Sequence, residues 1–74
     1  MKEYSIDTER LEKDFTYHPP KDDQDERYGT IRDLGKHFAT AVMGMTPKGR
    51  EQSLALTKIE EAVFWSNTAI ARGE

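Results

Sequence analysis

The sequence predicts an all-α protein: a short N-terminal helix, an extended proline-containing connector, and a long antiparallel helical hairpin that assembles into a homo-oligomer. Three observations lead there. From Tyr28 the residues Tyr28, Ile31, Gly35, Phe38, Val42 and Met45 follow one another at steps of three and four, a helical seam. A second apolar, helix-forming run occupies residues 50–72, and only Thr46-Pro47-Lys48-Gly49 separates the two. So short a connection folds two long helices into a hairpin. Third, 74 residues with 35% hydrophobic content and no cysteine can bury little surface alone and cannot be stapled by disulfides. Association of copies is the remaining route to stability.

The chain reads as one domain over residues 1–74. Residues 1–21 hold the short helix and connector, 22–45 the first hairpin helix, 46–49 the turn, and 50–72 the second hairpin helix. Residues 1–6 are expected to be irregular. Asp7 can cap a short helix running to about Asp14, with Leu11 as its one strong apolar contact. A helix that short must pack on something. Pro19 and Pro20 exclude helix and push the backbone before them toward extended geometry, so Tyr17 and His18 sit on a stiff connector. Asp23 can cap the next helix, with Glu26 three residues on completing a capping box.

Within the first hairpin helix, Gly35 costs helix stability but lets another backbone come close. Leu34 and Ala41 widen the apolar stripe. At the turn, Thr46 with Pro47 next, or Gly49 with Gln52 three on, can start the second helix, and both options stand. That helix is roughly 33 Å long at 1.5 Å per residue. Its apolar residues, from Leu54 to Ala71, occupy more than one face, which one partner helix cannot cover. The uncovered surface calls for further hairpins on the outside.

Charge narrows the function classes. The net charge is −3, with no basic run. A protein tracking DNA or RNA would need a positive face, so no nucleic-acid polymer is expected. No apolar stretch approaches the roughly 18 residues of a membrane span, and no signal-peptide pattern opens the chain. A soluble, intracellular protein without membrane contact is the expectation. No metal site is expected either, since thiolates are absent and His18 and His37 are too far apart for a helical ligand pair.

Nothing in the pattern suggests an enzyme. Glu60 and Glu61 are adjacent on a helix and point about 100° apart, so they do not converge. One is expected to pair across the hairpin and the other to face water. No serine, histidine and acid share a triad-like spacing, and Gly35–His37 is no phosphate loop. Phe64 and Trp65 read as interface residues, Asn67 as an interface hydrogen bonder or a solvated group, and His37 as helix surface. No cofactor is called for.

The connector admits two readings. Tyr17 and His18 are planar, with Lys21 close behind; Arg32 and Lys36 add positive charge one turn apart, and Arg27 lies near the helix start. Planar groups stack on nucleobases and cations pair with phosphates. In the plainer reading, Tyr17 packs the connector on the hairpin while the cations pair with surface acids.

A resemblance bears on this choice. FTYHPPKDDQDERYGTIRDLGKHFA and TPKGREQSLALTKIEEAVFWSNTAIAR, spanning Phe15 to Arg72, resemble the helical hairpin domain of phage anti-CBASS proteins, shared with the Thoeris anti-defence sponges. The most specific pieces are F-T-Y-H-x-P-K, Q-x-x-R-Y and S-L-A-L-T-K-I-E-E-A-V-x-W. Gly49 departs from the pattern, where a capping serine is more usual.

The resemblance implies a sponge. Such proteins bind and sequester cyclic oligonucleotide messengers of bacterial CBASS systems without cleaving them, which starves the effector. It further implies a homohexamer in the host bacterial cytoplasm, with cyclic dinucleotide pockets between pairs of protomers and, in some members, cyclic trinucleotide pockets around three. Tyr17 then matches the aromatic that stacks on a base, and Arg32 the cation that sandwiches it from the partner chain. His18 and Lys21 adjoin that pocket. Arg27 is a phosphate ligand or a clamp on the connector, and Arg72 a phosphate contact in the three-protomer site. A two-fold interface would supply each such side chain twice, suiting a ligand with two bases and two phosphates. The alternative is a helical-hairpin adaptor that docks another protein on its apolar stripe.

Overall fold

The computed structural model describes residues 4–74. They form three α-helices: α1 (Thr8–Phe15), α2 (Gln24–Met45) and α3 (Arg50–Gly73). No strand is present among the described residues. Residues 4–7 carry no helix; the first three residues of the segment expected to be irregular lie outside the described ones.

Asp7 caps α1, its carboxylate accepting the Arg10 backbone N–H at 3.0 Å. The helix runs one residue beyond the expected end, to Phe15, and Thr16 leaves it in extended geometry. No residue of α1 is buried, and Leu11 remains half-exposed rather than acting as a packing anchor. Arg72 and Asp14, 3.8 Å apart, link α1 to the end of α3.

The start of α2 departs from the expected capping box. Asp23 occupies the cap position but makes no capping bond; its carboxylate turns to Arg27 at 3.1 Å. The reach-back is made instead by Gln24, whose Oε1 accepts the Lys21 backbone N–H at 3.1 Å. Asp22, with φ of 54°, supplies the left-handed residue that closes this turn. Gln24 is 3% exposed, the one buried polar residue among those described.

α2 and α3 pack along their length as the hairpin. At the turn, Thr46 closes α2: its hydroxyl and its backbone N–H both donate to the Val42 carbonyl, at 2.6 and 3.1 Å. Gly49 takes the cap position of α3. Gln52 binds the turn from above, its amide donating to the Thr46 carbonyl and hydroxyl at 3.0 Å each.

The core is thin. Ile59 is the single buried hydrophobic residue among those described. Gly35 faces Val63 so closely that a Cβ at this position would collide with Val63 Cγ2. The seam is only partly covered: Tyr28, Ile31 and Val42 are half-buried, but Phe38 is 61% and Met45 83% exposed. A step of 3.5 residues drifts against the 3.6-residue turn, so a seam read from sequence does not stay on one line of a straight helix. The radius of gyration is 17.2 Å, against about 11 Å for a compact domain of this length. The molecule is a slab of 52 × 42 × 13 Å.

Candidate functional site

The six residues singled out by sequence fall into two groups, engaged and unengaged. Lys21, Arg27, His18 and Arg72 all have intrachain partners. Lys21 Nζ donates to the Glu74 main-chain oxygen at 3.0 Å. Arg27 binds the Glu74 carboxylate through two nitrogens, at 2.7 and 2.5 Å. His18 Nε2 donates to the Lys13 carbonyl at 3.1 Å, which satisfies a carbonyl in the last turn of α1. Arg72 faces Asp14.

Tyr17 and Arg32 are different. Tyr17 is 79% exposed, and no side-chain hydrogen bond engages it among the described residues. Arg32 has no acid partner among the described residues, and it borders a shallow depression between α2 and α3. Among the six, the structure therefore leaves one aromatic ring and one guanidinium without an intrachain partner among the described residues, on separate elements.

Sequence reasoning missed the group that organises the engaged cations. Glu74 follows α3 and accepts from Arg27, from Gln24 at 3.2 Å and, through its main chain, from Lys21. The hydrogen bonds from Arg27 and then Gln24 hold its carboxyl well below the ordinary range, at about 2. Reciprocally, the Glu74 carboxylate raises the Arg27 guanidinium above its usual value. Arg27 thus clamps the start of α2 to the end of α3. Glu74 lay outside every periodic pattern, but Gln24, three residues after Lys21, carried a legible reach-back spacing.

Glu61 pairs with Lys58 at 3.6 Å within α3 rather than across the hairpin, and Glu60 is exposed. Among the described residues no group of histidines and acids is placed to hold a metal ion. No helix of the described residues is long and apolar enough to cross a membrane.

A long apolar groove lies along the hairpin, lined by Leu34, Phe38, Val42, Ala55, Ile59 and Val63 among others. It shares no residue with the depression beside Arg32, so the two recesses are separate.

The fold is thus a helical hairpin with exposed aromatic and cationic groups. The family model for the Acb2/Tad1 hairpin domain matches residues 7–71, and the chain belongs to this family of anti-CBASS and anti-Thoeris sponges. No curated protein and no solved structure matches the chain. The family consists of anti-defence binding proteins of small cyclic nucleotides rather than enzymes, in keeping with the resemblance carried by the connector and hairpin motifs.

Proposed function

We propose that this protein is an oligomeric sponge that binds cyclic dinucleotides intact and withholds them from a CBASS effector. The observation that carries this reading is the exposure of Tyr17 beside two prolines, in a slab only 13 Å thick. A ring so placed has little backbone freedom left to lose on binding. The slab cannot wrap a dinucleotide, so the second wall of the cleft comes from another copy. Tyr17 of one protomer stacks on a base and Arg32 of the other sandwiches it, since guanidinium groups stack as well as pair. The two-fold relation repeats this for the second base. His18 and Lys21 border the cleft. Arg72 serves a separate cyclic trinucleotide pocket shared by three protomers of a hexamer, exchanging Asp14 for a phosphate. Arg27 remains with Glu74 as the clamp that sets the connector.

The test is recovery of ligand. The purified protein is loaded with a cyclic dinucleotide, freed of excess, heat-denatured, and the supernatant chromatographed. A sponge returns the intact ligand in stoichiometric amount; altered ligand would indicate an enzyme, and none at all would remove the reading. The exposed groove along Leu34 and Phe38 favours one second reading, an adaptor that docks a protein helix. Light scattering separates the two: a stable hexamer supports the sponge, a monomer the adaptor.

A further inference from the structure

The apolar face of α1 is left uncovered. Thr8, Leu11 and Phe15 recur at steps of three and four and share one face, yet no residue of this helix is buried and Phe15 is 84% exposed. Eight residues do not hold a helix in water without a surface to lie on. The ion pair from α1 to the hairpin, Arg72 to Asp14, is 3.8 Å long. The outline of the molecule shows where α1 goes. A hairpin with a helix of 24 residues is about 36 Å long and about 20 Å wide, whereas the slab measures 52 × 42 Å. α1 therefore stands out from the hairpin as an arm, and Pro19 and Pro20 stiffen the connector against folding it back.

The hairpin carries a surface that matches the arm. Its apolar groove, about 460 Å³, has Leu34 and Phe38 more than half exposed and Lys58 as its one charged lining residue. From Leu34 to Val42 the helix α2 rises about 12 Å, which is also the length of α1. Glu12 borders the apolar face of α1 and pairs with no cation among the described residues. We infer that α1 is an exchanged arm: the α1 of one copy lies in the apolar groove of a second copy, Leu11 and Phe15 against Leu34 and Phe38, with Glu12 toward Lys58. Helices that dock in grooves use anchors at this spacing. A two-fold pair fills both grooves with both arms and leaves no open end. The inference rests on the association of copies that the sponge reading requires, and names what joins them. Tyr17 follows Phe15 by two residues, so the exchange also carries the connector onto the partner.

Light scattering on full-chain variants tests it. Phe15→Asp spoils the arm and keeps the groove; Phe38→Asp spoils the groove and keeps the arm. Each alone is expected to lose about half or more of the wild-type mass at equal concentration, with the hairpin still helical by circular dichroism. Mixed in equal amounts, the two are expected to assemble to a higher mass than either alone, because an intact arm then meets an intact groove on the other chain. Ala62→Arg, which fills the groove from an exposed position with a good helix former, replaces Phe38→Asp if that variant loses its helices. Phe15→Asp at the wild-type mass would overturn the inference and leave the sponge standing. So would a mixture no heavier than its components, the result that groove-to-groove packing gives. A monomeric wild-type protein would overturn both.

Discussion

Arg27 and Glu74 meet through two hydrogen bonds, 2.7 and 2.5 Å long, although 47 residues separate them in the chain. The bond joins the first turn of α2 to the residue after α3, the open end of the hairpin. The other end is closed by the turn itself. The hairpin is therefore tied at both ends, and Lys21, which leads into the connector, hangs from the same carboxylate-bearing residue.

This tie is acid-labile. The Glu74 carboxyl titrates at about 2 in the fold against 4.5 when free, so its contribution to stability is complete above about pH 4.5 and is lost as pH falls toward 2. Glu74→Gln is expected to lower the melting temperature at about pH 7 and to lose this difference at strongly acid pH. Thermal melts of both proteins across that range provide the check. A difference that does not change with pH would mean that the charge is not what holds the end of α3.

Gly35 is expected to resist substitution. Alanine adds about 1 kcal/mol of helix propensity, but its Cβ collides with Val63, whose branched side chain is stiff. Overpacking of this kind costs about 1–3 kcal/mol, so Gly35→Ala should be net destabilising in urea unfolding. Gly35→Ala with Val63→Ala should relieve the collision, leaving the double variant more stable than additivity of the single changes allows. Strict additivity would show that the two positions do not meet.

Asp22 is the one non-glycine residue of positive φ among those described, at 54°. Glycine adopts that geometry freely, so Asp22→Gly is expected to be neutral or stabilising. Asp22→Val should cost about 1–2 kcal/mol, since a branched side chain resists the left-handed region. Denaturant midpoints of the two variants test the order; Val as stable as Gly would show that the turn has another shape.

Tyr17→Ala and Arg32→Ala are expected to leave the helix content unchanged, since neither side chain makes a hydrogen bond or ion pair among the described residues. Each should weaken cyclic dinucleotide binding by about ten- to a hundredfold, the worth of roughly 1–3 kcal/mol per stacked base. Calorimetric affinities equal to wild type in both would remove the cleft from these residues.

Much of this architecture is legible in residue order. The Asp7 cap, the seam from Tyr28 to Val42 and the Thr46–Gly49 turn are local or periodic features, and local spacing is what a sequence displays. The tie at Glu74 is not local, and no spacing rule connects it to Arg27. At Asp23 two nearby partners competed, and Arg27 won the carboxylate that the capping rule assigned to the helix N-terminus. Tyr17 and Arg32 were legible as residue types; that they alone among the six lack intrachain partners required the fold. Asn67 reads in the sequence as an interface hydrogen bonder or a solvated group; that its Oδ1 is buried without a partner required the fold.

The 13 Å thickness has one more consequence. In the single chain only Ile59 and Gln24 are buried among the described residues, so most charged side chains keep their hydration. In the single chain, a lysine can replace an acid that pairs with no cation without leaving a stranded ion in an oily interior. A scaffold of this shape can alter its electrostatic character quickly when the molecule it must capture changes.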